Sequence, residues 1–192
     1  MKSNSNTCNC DLIDIIGLCT PENTTAVIKD FPYWKQMYVS ETLEVPPQKP
    51  DMEQINSVDI SVSIFRQKVI KTPRSYDDTT TPPTETPNLE GKLLTGRKLI
   101  IEGQLCQKIV YTADEDEQPV HSVHFYVPFS SYVVVPKEYT FTNSDGSTYT
   151  IDSLNITYEV NSCIEDVAIC MLDERRLLKQ VTLLLYAVPT QC

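Results

Sequence analysis

Polar and apolar residues alternate with a period of two along much of the chain. Val58, Ile60, Val62 and Ile64 alternate with Asp59, Ser61 and Ser63, the spacing of a strand with one buried face. Between residues 97 and 113, Leu99, Ile101, Leu105, Ile109 and Tyr111 fall on one side, and Ile100, Glu102, Gln104, Cys106 and Lys108 on the other. "VHSVHFYVPF" turns Val123, Phe125 and Val127 inward. "YWKQMYVSETLEV", "SSYVVVP", "YTFTNSDGSTYTI", "SLNITYEV" and "EDVAICMLD" supply further short strands, with "SDG" as a hairpin tip. The closing "LLKQVTLLLYAV" is apolar on both sides, as expected of a central strand or one covered on both faces. Only "MEQIN" and "DERRLLK" have helical character, and both are too short for a major helix. Many short strands separated by turns predict an all-β fold, an antiparallel β-sandwich.

The pattern also divides the chain. Residues 31–192 carry the strands of a single domain, and residues 1–30 form an N-terminal arm. "PRSYDDTTTPPTETPN", residues 73–88, holds little to bury and is expected to be an exposed, flexible loop within that domain. The arm has one apolar run, Leu12, Ile13, Ile15, Ile16 and Leu18, bracketed by Cys10 and Cys19. Such a run in a polar tail requires burial. It can add a strand to the open edge of a neighbouring molecule, or fold back on its own domain as an edge strand.

Composition narrows the partners. A formal charge of -10 repels phosphate backbones and anionic lipid, local basic patches aside, so neither nucleic acid nor membrane is expected as a partner. The apolar runs are too short to span a bilayer. The opening residues, with two aspartates in "DLIDIIGL", do not have the pattern of a secretory signal.

Seven cysteines, Cys8, Cys10, Cys19, Cys106, Cys163, Cys170 and Cys192, cannot all pair within one chain. All seven are candidates for disulfides between chains, and a core of this size does not need internal staples. None shows the C-x-x-C spacing of zinc or redox sites. His121 and His124, three apart on a strand, leave opposite faces and do not share a metal. Asp114, Glu115, Asp116 and Glu117 lack the spacing of a calcium loop and are expected to form a solvated turn. A Cys106–His124 nucleophile has no motif behind it, and Gly-rich phosphate loops and nucleophile elbows are missing from a sequence with 5 glycines. The expectation is a protein without catalytic residues, cofactor or metal.

Several longer stretches resemble a known family. "YVSETLEVPPQKPDMEQI", "KVIKTP", "NLEGKLLTGRKLIIEGQLCQKIVY", "QPVHSVHFYVPFSSYVVVP" and "IEDVAICMLDERRLLKQVTLLLYA" are similar to the SPOCS-domain proteins of sporulating Firmicutes, especially the clostridial stand-alone members. The resemblance implies association with the spore coat or exosporium and no active site. It also implies manufacture in the mother-cell cytoplasm and deposition on the spore from outside, where an oxidising exterior permits late disulfides. The combined expectation is a structural protein of the spore surface, in coat, exosporium or filamentous appendage. It would self-assemble into a homo-oligomer or homopolymer, a ring or helical fibre, through its arm and intermolecular disulfides, with other spore-coat proteins as further partners. The alternative is a non-covalent adaptor that recruits coat proteins to a morphogenetic partner through a sheet edge or the 73–88 loop.

Overall fold

The structure, a computed structural model, describes residues 13–190 apart from 78, 83, 116 and 118. Eleven strands and one α-helix follow in order: β1 (Asp14–Ile16), α1 (Pro21–Asp30), β2 (Trp34–Glu44), β3 (Met52–Arg74), β4 (Tyr76–Asp77), β5 (Thr84–Glu85), β6 (Thr95–Ala113), β7 (Val120–Val134), β8 (Glu138–Thr142), β9 (Thr148–Asp152), β10 (Thr157–Met171) and β11 (Arg176–Thr190). One sheet runs β1-β3-β6-β7 and the other β10-β11-β2, with β4–β5 and β8–β9 as separate hairpins. The fold is all-β and sandwich-like, as the alternation predicts.

Each long strand buries one phase. In β6, Leu99, Ile101, Leu105, Ile109 and Tyr111 are all 0–1% exposed, and the even-numbered residues between them face outward. Gly103 interrupts this buried row opposite Phe129, and a Cβ there would lie 2.7 Å from the Phe129 ring and 2.8 Å from the Ser63 carbonyl. The missing side chain is what lets the ring cover the strand. β11 lies between β10 and β2, which accounts for its apolar character on both sides: Leu183 and Leu185 enter the core, while Leu184 is buried on the opposite face.

Two pairs of expected strands are continuous. "VHSVHFYVPF" and "SSYVV" together make β7, and "TYEV" and "EDVAICM" lie in β10. β10 carries a bulge between Ile164 and Asp166. Its buried phase therefore switches from even numbers (Tyr158, Ile164) to odd ones (Val167, Ile169).

α1 is a helix that the strand pattern conceals, since Thr24, Thr25, Val27 and Ile28 are all β-branched. Proline begins it, and Phe31 ends it in a non-helical conformation (φ -127°, ψ 85°) just before Pro32. "MEQIN" belongs to β3, and "DERRLLK" is a turn leading into β11.

Among the described residues a fully buried ionic group joins the two sheets in the core. Glu41 of β2, Gln107 of β6 and Lys179 of β11 all sit in the inward phase of their strands, and Lys179 is 0% exposed. Its ammonium forms an ion pair with Glu41 and donates to Gln107 Oε1. The Gln107 amide donates to Glu41 at 3.0 Å, closing a triangle that ties both sheets together. Desolvation depresses the pKa of Lys179, with Glu41 opposing it.

Candidate functional site

The two sheets leave a seam on each side of the sandwich, and the N-terminal segment crosses one of them. β1 pairs in parallel with β3, Asp14 to Ser57 through Ile16 to Asp59. Gly17 then turns the chain away at φ +111°, and a Cβ at this position would lie 2.0 Å from the Ile60 carbonyl oxygen. Only glycine satisfies both the close approach and the positive φ. Two residues later the Cys19 amide donates to the Ile164 carbonyl of β10 at 3.0 Å. A disulfide joins Cys19 to Cys163, with their Cα atoms 5.3 Å apart and 144 residues between them in sequence. Residues 14–19 thus form a strap from the edge of the first sheet to the edge of the second.

Gly17→Val is expected to release this strap from β3. In hydrogen exchange the amides of residues 14–19 should lose protection while those of β6 retain it. Unchanged protection at residues 14–16 would show that Gly17 is not what permits the pairing.

Beyond the strap, α1 crosses the outer face of the β10-β11-β2 sheet and encloses a groove of about 320 Å³ with it. Thr24, Thr25 and Ile28 form one wall, Trp34 and Leu184 lie on the sheet side, and the disulfide lies at one end. The Gln36 amide crosses the sheet to donate to both carboxylate oxygens of Glu165 at 2.9 and 3.0 Å. Glu165 is the bulged residue of β10, so the bulge directs this carboxylate over the outer face. The other seam, between β2 and β7, is bridged by Lys35 of β2, 3.8 Å from the centroid of the Tyr132 ring of β7, and Lys98 of the neighbouring β6 lies 4.1 Å from the same centroid.

The expected site residues fall into four groups. Cys8, Cys10, Leu12 and Cys192 lie outside the described residues. Ile13 and Ile15 pack against the core of their own chain, while Ile16 and Leu18 are 50% and 46% exposed. Cys19 and Cys163, counted above among candidates for bonds between chains, are bonded to each other within the chain, and that assignment is corrected for this pair. The strap causes this by carrying Cys19 to the β10 edge. Cys106 is half-buried on the outer face of β6, opposite Ser61 and Tyr126, with the Gln104 amide 3.7 Å from its sulfur. Cys170 is half-buried on β10, paired in register with Leu178.

His121 stacks on Tyr111 at 5.9 Å, whereas His124 is exposed on the opposite face. Among the described residues no group of three or more His, Cys, Asp or Glu side chains is placed to hold a metal ion.

The SipL SPOCS-domain family model matches residues 51–171, well over half of the chain, and the protein belongs to that family. Membership makes it a spore-coat-related protein. The matched region runs from near the start of β3 through β10, so the strap, α1, β2 and β11 lie outside it. No curated protein matches. No solved structure matches.

Proposed function

We propose that this protein is a non-catalytic structural component of the endospore surface, in the coat, the exosporium or an appendage, and that copies of it join into a ring or fibre. The observation that carries the assembly is a matter of parity. With Cys19 and Cys163 paired, five cysteines remain, an odd number, so at least one thiol has no partner within its own chain. The strap also confines the connecting segment. Since residues 14–16 are already paired with β3, the part of the arm left for a neighbour is residues 1–12, with Cys8 and Cys10, aided by the exposed Ile16 and Leu18.

The test is a denaturing gel of air-oxidised protein with and without reductant. A ladder that collapses to a single 21.8 kDa band on reduction is the expected result. Deleting residues 1–12 should abolish that ladder, and a ladder of undiminished length in the truncated protein would rule out this segment as the connector. The apolar groove beneath α1 favours the second reading, an adaptor that recruits other coat proteins without covalent bonds. A monomer band in both lanes would leave that reading in place.

A further inference from the structure

The outer face of the β1-β3-β6-β7 sheet is basic at one end, although the protein as a whole is acidic. Residues 60–76 contain Arg66, Lys68, Lys71 and Arg74 and no carboxylate, and all four are exposed, although Lys71, opposite the buried Arg97 in register, leaves the strand on the other face. The register sets Ile70, Lys98 and Val134 in one cross-strand row and Lys68, Ile100 and Tyr132 in the next. Exposed apolar side chains are interleaved with the charges: Phe65 is 62% exposed, Val134 40% and Tyr132 37%. Arg66 has an ion-pair partner in Glu102 at 3.0 Å, while Lys98 and Arg74 lie over the rings of Tyr132 and Tyr76. Among the described residues no carboxylate forms an ion pair with Lys68, Lys71, Arg74 or Lys98. Mixed basic and apolar surface of this kind fits a partner that brings carboxylates.

The opposite end of the same sandwich supplies them. Backbone bonds from Val45 to Arg175, Met52 to Glu174 and Asp114 to Asp51 gather the end of β2, the start of β3, the end of β6 and the β10–β11 turn into one surface. Arg175 engages Asp51, and Arg176 engages Asp173. Glu44, Glu53, Asp114 and Glu174 form no ion pair among the described residues. Along β3, Glu53 and Lys68 are separated by roughly 50 Å of extended chain. The Debye length at physiological salt is about 8 Å, so the two ends do not neutralise each other within one molecule.

We propose that the basic face of one copy receives the acidic end of a second copy. The contact is head-to-tail, so each addition leaves a fresh basic face and a fresh acidic end exposed and propagates as a ring or fibre. It rests on the self-assembly reading above, and it names the non-covalent contact that would align subunits before any disulfide forms.

A charge swap on the full-length protein tests it. Association is followed by sedimentation velocity, with circular dichroism and thermal midpoints verifying that each variant folds. Raising the salt concentration should weaken association of the native protein. The triple variant Lys68→Glu, Arg74→Glu, Lys98→Glu should associate about tenfold or more weakly. The triple variant Glu53→Lys, Asp114→Lys, Glu174→Lys should be impaired alike, and mixing the two should restore co-assembly. Association that ignores salt and both triple variants overturns the proposal, as does a mixture that stays dissociated. A reductant-sensitive ladder that survives both variants would overturn this contact alone, whereas no association at any salt and no ladder would overturn the assembly reading with it.

Discussion

Breaking the Cys19–Cys163 bond is expected to lower the unfolding free energy by about 4–5 kcal/mol, the chain-entropy value for so long a loop. The bond joins residues 144 apart, so without it the unfolded chain regains nearly all of its end-to-end freedom. Cys163→Ala with Cys19→Ala is the cleaner variant, since a single substitution leaves an extra thiol beside an already odd set. Urea unfolding of the double variant should show a midpoint well below that of the oxidised native protein and close to that of the reduced native protein. Equal midpoints for the oxidised protein and the double variant would mean that the strap adds nothing to stability.

Lys179→Met should cost about 3–5 kcal/mol, because it leaves the Glu41 carboxylate in the core without its counter-charge. Lys179 is fully buried and the Glu41 side chain is only 11% exposed, so solvent cannot replace the lost partner. The triple variant Lys179→Met, Glu41→Leu, Gln107→Leu is expected to recover most of that loss, since it removes every polar member of the triangle together. Urea unfolding of the two variants against the native protein decides the matter. If the single variant is as stable as the native protein, the triangle does not hold the sheets together. The sign of the Lys179 pKa shift gives an independent check. A folded-state pKa held below 10.5 means that the unfolded chain binds more protons, so this group's contribution favours folding above the unfolded pKa and is lost as pH falls through the folded one.

The strands were legible in the sequence because a half-buried sheet repeats its demand at every second residue. The triangle was legible in principle by the same rule. Glu41 follows Met37 and Val39, Gln107 stands between Leu105 and Ile109, and Lys179 between Leu177 and Val181, each a polar residue in an apolar phase. Three such intrusions on three different strands are a signal that buried polar groups satisfy one another. α1 was not legible, because β-branched residues crowd its ten positions and give it poor helix propensity. The strap was hidden for a related reason. β1 is three residues long, and its place against β3 depends on Gly17 fitting against Ile60. Cysteine spacing alone leaves every pairing open, so Cys19 could be assigned to Cys163 only once the bulged β10 edge had been located.

The strap also determines how the molecule would carry a mechanical load. Tension applied between residue 13 and residue 190 has a covalent short cut through the Cys19–Cys163 bond, so only residues 13–19 and 163–190 lie in the loaded path. Residues 20–162, which include β3, β6 and β7, form a closed loop outside it. Until that bond is broken, pulling on the two ends of the domain can strip β1 from its edge but cannot draw out β3, β6 or β7.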